Sequence, residues 1–461
     1  MRERSDLPAA GRESRLLWCA LVSALLGYAL LFGQYRPSEI DDAWTASYVW
    51  NLTHNGSTAD TVFGLPSNIR YFGHIHARLA GFVADISGWN KAVFHAFNLI
   101  CMLGAALAWG GTIRKVSANG RFALLCVLLC FLLEPFIGAA YKSRSDAMAF
   151  LLVSAGVCAA AYDRFFLAAL LCSFGVEVHP IAVTGYFQTA AFLLRHTDSP
   201  KRLFLALAGC TGGCIAGFCV YRFMHPEPIR EIIAYLVEQR NASSSFNALT
   251  AHYFTRAYFR FIPELLFFIG GIFLYFYDKR RFFDRNDTAL CLFYMTLLAS
   301  LFTQRANFHY IIFYYPPLMY ISFIGYRKSH VYIQALYCIM IYALVLIIFL
   351  FATNFHVDHA RFDENMAKIP FSDEKRAIIG PTNAWYVLRS RSFYASFAAM
   401  KKNEGGMPES IYYIKSIYTE QLPSCAKVIR RIGPSFSFNL QEVQAFDVDL
   451  SLCRKDSGQS N

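Results

Sequence analysis

Four stretches of the 461-residue chain set acids, bases and histidines among apolar neighbours. The first is Glu39-Ile40-Asp41-Asp42, three carboxylates in four residues just after an apolar run. Carboxylates at a membrane face are costly unless solvated or used. Asp41 and Asp42 therefore fit either a general base at a lipid–water boundary or the N-cap of a helix in a hydrated loop. The second is Glu134-Pro135-Phe136 followed by Lys142-Ser143-Arg144-Ser145-Asp146. Lys142 and Arg144 have the chemistry to pair with a phosphate, and Asp146 could orient them, with Glu134 as a second acid of the cluster. The same residues could instead be a snorkelling basic pair and a helix cap. The third, Glu177-Val178-His179-Pro180, places an acid and a histidine in a narrow break between apolar runs, where either a substrate contact or a satisfied structural histidine would fit. The fourth runs from Gln304 to Tyr310; Arg305 and His309 are four apart and could share a helix face. His74-Ile75-His76 reads as two histidines in a flexible loop without a chemical role.

The elements that must position these residues are apolar helices. Hydrophobic residues make up 56% of the chain and charged ones only 16%, against roughly 25% in soluble domains. Candidate spans fall near 16–34, 92–113, 122–140, 146–162, 165–178, 180–194, 203–223, 262–277, 288–303, 310–325 and 332–353, about eleven in all. The runs 165–178 and 180–194 are short and read as tilted helices or as a pair broken at His179-Pro180. The run after Arg2, Arg4, Arg12 and Arg15 is long enough for an uncleaved anchor.

The formal net charge of +11 sits in short clusters between apolar runs, with no continuous basic face interleaved with aromatics, so nucleic-acid binding is not expected. With a cytoplasmic N-terminus, alternate loops carry Arg114/Lys115/Arg121, Arg164, Arg195/Lys201/Arg202, Lys279/Arg280/Arg281/Arg285 and Arg327/Lys328. That is the pattern of cytoplasmic loops. The long loops 35–91 and 224–261 and the polar tail 354–461 then lie outside. In 35–91, Trp44, Tyr48 and Trp50, then Ile75, Leu79, Phe82 and Val83, are spaced for short interfacial helices. Ile229 to Gln239 is helical in pattern. The tail mixes helical and strand-like patches and reads as a small α/β domain. Two domains follow: a membrane domain, 1–353, and an extracytoplasmic domain, 354–461.

Most of the thirteen cysteines lie in apolar runs, with no CxxC pair, and read as small buried hydrophobes. Cys425 and Cys453 sit in a polar segment and could be bonded in an oxidising compartment. Asn51-Leu-Thr, Asn55-Gly-Ser and Asn241-Ala-Ser fit the N-glycosylation pattern, which is common by chance. There is no phosphate-binding glycine loop, HExxH or nucleophile elbow, and no internal repeat of the kind inverted-repeat transporters carry. All four charged stretches fall at the outer ends of spans. A transporter would need polar groups near the midplane on several helices, and a channel a ring of them. One-sided charge suits chemistry on a substrate held partly in lipid.

The order and sidedness of these features resemble the GT-C superfamily of membrane glycosyltransferases. Asp41-Asp42 after the first span leads into Ala43-Trp44-Thr45-Ala46-Ser47-Tyr48, a segment similar to the interfacial helix of that family. Arg144-Ser145-Asp146 opens the fourth span after a proline-containing third, and a soluble domain follows the last span. The layout looks most like the bacterial branch of lipid A aminoarabinose transferase and protein O-mannosyltransferases, with Asp-Asp where Asp-Glu is usual. The resemblance implies an all-α polytopic fold with a small α/β C-terminal domain, a polyprenyl-phosphate-linked sugar donor, and a glycan, lipid or protein acceptor. In a bacterium it implies the inner membrane, a cytoplasmic N-terminus and a periplasmic C-terminal domain, with lipopolysaccharide or another envelope glycan among the acceptors. It also implies that Asp41 or Asp42 takes the acceptor proton, with Asp146 in support.

A lipid phosphate leaving group needs positive charge more than a general acid, which suits Lys142, Arg144 and Arg305. His309, Tyr310, His179 and Glu134 complete the expected substrate contacts. Direct displacement would invert the sugar centre. No cofactor is required, although Asp41, Asp42 and Asp146 could hold a divalent metal if they converge. Base and phosphate grip must bracket one sugar ring, so Asp41 or Asp42 must lie within about 12 Å of Arg144 or Arg305. The rival readings are a flippase for lipid-linked sugars, an envelope glycan polymerase or ligase, and a structural membrane protein whose charged stretches scatter in space.

Overall fold

The computed structural model describes residues 40–56, 62, 72–241, 248–250, 253, 261–279, 282, 284–303, 308–327, 329, 331–354, 359–416, 419–438 and 441–453. The first expected span, 16–34, lies outside them, and every later apolar run coincides with helical structure. Two helices of the first long loop come first, α1 (Ile40–Asn55) and α2 (His74–Ser87). The apolar helices follow: α3 (Lys91–Ser117), α4 (Gly120–Phe131), α5 (Glu134–Ala140), α6 (Asp146–Ala161), α7 (Phe165–Val178), α8 (Thr184–Leu193) and α9 (Pro200–Met224). After α10 (Ile229–Asn241) come α11 (Ile262–Lys279), α12 (Thr288–Phe302), α13 (Tyr315–Arg327) and α14 (Tyr332–Asn354).

Local chemistry sets several of the ends. Asn90, Asn119 and Asp287 each accept the N–H three residues on, at 3.1, 2.9 and 3.3 Å, and so start α3, α4 and α12. Arg114 and Lys115 close α3, where the helix dipole favours cations. Pro135 follows a break that bends α4 and α5 by 72°.

Among the described residues, α3 and α9 are each long and apolar enough to cross a membrane, and α4 with α5 passes as one bent span. Several of the other helices are apolar but shorter. Their outward faces are greasy: Phe223 on α9 is 87% exposed, and Phe273 on α11 and Ile341 on α14 are also exposed. Apolar surface of that extent is unstable in water and suits lipid. Between the helices, small residues allow close crossings. A Cβ on Gly325 of α13 would collide with the backbone of Gly271 on α11. The core of this domain gathers Trp109, Phe136, Phe150, Phe268 and Tyr315.

The C-terminal domain carries α15 (His359–Ala367), α16 (Trp385–Leu388) and α17 (Phe397–Asn403) around a five-stranded sheet. The strands are β1 (Ile378–Ile379), β2 (Phe393–Tyr394), β3 (Ser410–Lys415), β4 (Lys427–Phe438) and β5 (Gln441–Asp449), in the order β2-β1-β3-β5-β4. β1 runs parallel to β2 and β3, while β5 pairs antiparallel with β3 and β4. The α/β reading of the tail is thus observed, and Cys425 and Cys453 are bonded across 28 residues.

A second core joins this domain to the first long loop and the start of α3: Tyr48, Val49, Ala80, Trp89 and Phe94 pack with Phe362, Trp385, Tyr386 and Tyr412. The helices expected in 35–91 are present, but with their faces divided. On α2 the small residues Ala77, Ala80, Gly81 and Ala84 are buried, while Leu79, Phe82 and Ile86 stay exposed. One expectation fails here. His74 and His76 are buried in the first turn of α2, not in a flexible loop, because the Glu177 carboxylate caps that helix. Asn51 is buried within α1.

Candidate active site

The loop between α5 and α6 is the centre of the arrangement. Asn98, fully buried on α3, donates its side-chain N–H groups to the carbonyls of Lys142 and Arg144, at 2.9 Å to the latter. A buried amide in an apolar helix must be satisfied, and satisfying it fixes the loop. From the opposite side comes Asp42, in the first turn of α1 and 1% exposed. Its Oδ1 accepts the Ser143 N–H at 2.6 Å. The two stretches, 101 residues apart in sequence, are therefore in direct contact, and Asp42 reaches the residue next to Arg144. Asp41 lies on the same helix turn, but its side chain is outside the described residues, as is Arg305.

Asp146 is the first residue of α6, where the helix dipole favours a carboxylate. Its Oδ2 accepts from Arg144 Nε at 2.7 Å. Its Oδ1 has no hydrogen-bond partner among the described residues and lies 3.8 Å from His179 Nε2. His179 is extended, with φ −158°, at the break between α7 and the 3₁₀ turn Pro180–Val183. Its Nδ1 accepts the Ile181 N–H at 3.3 Å, so the neutral ring carries its proton on Nε2. That proton faces Asp146 and the Tyr310 hydroxyl, which is 3.2 Å away. Lys142, 2% exposed, places Nζ 2.7 Å from Nδ1 of His309, which with Tyr310 sits on the 3₁₀ turn Phe308–Phe313. Buried charges need this kind of pairing.

Asp42, Lys142, Arg144, Asp146, His179, His309 and Tyr310 thus lie in linked groups around one loop. Glu134 is buried at the start of α5, which leads into that loop. Glu177 belongs to a different structure. Its carboxylate oxygens accept the N–H groups of His74 and Ile75 at 2.7 and 3.1 Å, and Oε1 lies 3.1 Å from His225 Nε2. Burial, then the neighbouring His225, hold the His74 imidazole down to about 4. Among the described residues no three His, Cys, Asp or Glu side chains group as ligands for a metal ion.

Reasoning on the sequence missed three residues. Asn98 was detectable as an amide inside an apolar run. Ser143 was visible in its motif without an assigned task. Tyr386 gave no signal, since nothing local distinguishes it from the other tyrosines of the chain.

No protein-family model and no curated protein matches the chain. Solved structures do. The crystal structure of ArnT from Cupriavidus metallidurans bound to undecaprenyl phosphate superposes with a TM-score of 0.62 at 11% identity, over 93% of this chain and 97% of that one. ArnT from the same organism in the apo state gives 0.62 at 12% identity, over 95% and 98%. The chain shares the fold of these ArnT structures. The matched share of this chain is large enough to take in most of the C-terminal domain as well as the apolar helices.

Proposed function

We propose that the protein is an inverting glycosyltransferase that moves a sugar from a polyprenyl phosphate to an acceptor outside the cytoplasm. The observation that carries this reading is the contact of buried Asp42 with the Lys142–Asp146 loop, which brings one carboxylate beside two cations. In this reading an acceptor hydroxyl attacks the anomeric carbon and Asp42 takes its proton. The bond from that carbon to the phosphate oxygen breaks, and the leaving lipid phosphate keeps the electron pair. Arg144 and Lys142 offset its charge, and Arg305 is retained as a third candidate for that grip. Asp146, through the carboxylate oxygen turned away from Arg144, orients a sugar hydroxyl, with His179, Tyr310 and His309 around it. A single displacement inverts the sugar centre.

The donor class is supported by the fold shared with ArnT, whose structure holds undecaprenyl phosphate. The outward placement of the site is supported by the basic loops at the other helix ends and by the Cys425–Cys453 bond, which suits an oxidising compartment. A bacterial inner membrane and an envelope glycan, lipid or protein acceptor complete the proposal.

The test is incubation of the purified protein with several labelled polyprenyl-phosphate sugars. Release of lipid phosphate with transfer to an acceptor is expected, and the product should have the opposite anomeric configuration. Sugar movement across vesicles that persists in Asp42→Asn, with no lipid phosphate released from any donor, would establish a flippase instead.

A further inference from the structure

Tyr386 belongs to α16 of the C-terminal domain, 344 residues from Asp42, yet its hydroxyl sits among the groups around the proposed base. It lies 2.9 Å from Ser143 Oγ and donates to the backbone carbonyl of Asp42 at 3.4 Å. Ser143 in turn donates its backbone N–H to the Asp42 carboxylate. Asp42, Ser143 and Tyr386 thus close a ring, each member touching the other two. One arrangement of hydroxyl protons satisfies both hydroxyls: Ser143 O–H donates to the tyrosine oxygen, and the tyrosine O–H donates to Asp42. Burial, then the Asp42 charge, push the tyrosine hydroxyl well above its usual range, so it remains a donor. The ring of Tyr386 is fixed by Phe94 of α3 and by Trp385, with centroids 6.4 and 5.3 Å away.

We propose that Tyr386 is a positioning residue: it fastens the base to the phosphate-gripping loop, so the active site is complete only when the C-terminal domain is docked on the membrane domain. The proposal rests on the reading of Asp42 as the base. Loss of the hydroxyl leaves the apolar packing intact and loosens only the angle between Asp42 and the Lys142–Asp146 loop. A misaligned base costs turnover and leaves ground-state binding nearly unchanged.

The experiment uses the full-length protein and the variants Tyr386→Phe, Ser143→Ala and both together. For Tyr386→Phe we expect kcat to fall about 10- to 100-fold, with the KM for the polyprenyl-phosphate sugar within about twofold and the melting temperature nearly unchanged. Ser143→Ala should lose a similar factor. The double variant should lose little more than either single one, because the two hydroxyls act as a unit. Hydrogen exchange of the Ser143 amide in unliganded protein should speed up about tenfold or more in Tyr386→Phe, since Asp42 no longer holds it firmly. A kcat within twofold of wild type overturns the proposal, and so does unchanged exchange at Ser143. If wild-type protein releases no lipid phosphate from any donor, the transferase reading fails alone, and the exchange measurement still decides whether Tyr386 fastens the loop.

Discussion

At the scale of single residues, the site separates charge by task. Asp42 is buried, and its carboxylate accepts a backbone N–H, which fixes its direction. Arg144 and Asp146 form the ion pair, bonded through Nε and Oδ2. Asp42→Asn is expected to lower turnover about 10²- to 10⁴-fold, the range for a lost general base, while donor binding measured by thermal shift persists. Equal loss of binding and turnover would remove Asp42 from the role of base. Arg144→Lys keeps the charge but loses the planar fork that matches both carboxylate and phosphate. The KM for the donor should rise about tenfold in steady-state assays, and an unchanged KM would place the phosphate elsewhere.

At the scale of elements, breaks in helices matter more than their lengths. The break at His179 turns an apolar run into two helices with an imidazole between them. One residue pair earlier, Glu177 caps α2 and bonds His225 at the end of α9, so three elements meet on one buried carboxylate. Gly73 makes the entry possible: its φ of +94° suits glycine, and its N–H donates to the Glu177 carbonyl at 2.6 Å.

This junction has a pH dependence. His74 faces His225, Glu177, Glu227 and Arg78 and is held to about 4, below its ordinary 6.5. A depressed histidine leaves stability intact above pH 6.5 and costs stability as pH falls from there towards 4. Asp363, raised by burial to about 6, acts in the opposite sense: its stabilising effect is present at low pH and is lost as pH rises through 6. His74→Phe should therefore flatten the fall in melting temperature between pH 7 and 5. An unchanged profile would show that His74 does not carry it. At the crossing of α11 and α13, Gly325→Leu should destabilise the protein by about 1–3 kcal/mol or more through backbone collision, read as a lower melting temperature with the donor KM of any folded fraction unchanged.

At the scale of the whole molecule, the C-terminal domain is packed onto the helices that precede α3, since one core includes residues of both α1 and α2 and the sheet. The Cys425–Cys453 bond closes a 28-residue separation near the end of that sheet. Replacing both cysteines with serine should cost about 3 kcal/mol in unfolding of the C-terminal domain, followed by chemical denaturation with and without reductant. Turnover should fail at lower temperature in the same variant, because Tyr386 is carried by that domain. Loss of the bond with no change in either measurement would separate the domain's stability from the site.

Much of this was determined by the sequence alone. Apolar runs the length of a bilayer, basic loops on alternate turns and charged stretches confined to span ends are one-dimensional signals, because lipid acts on each segment separately. They placed the helices, the small α/β tail and most of the polar cluster, including Asp42, Lys142, Arg144, Asp146 and His179. Tertiary structure decided what each polar residue meets. Glu177 and His179 are two positions apart, yet one caps α2 and the other faces Asp146, a difference set by which way each side chain leaves the break. His74 is buried because Glu177 arrives from 103 residues away. Tyr386 reaches Asp42 only through the docking of two domains. Contacts of that range depend on packing, and no local pattern encodes them.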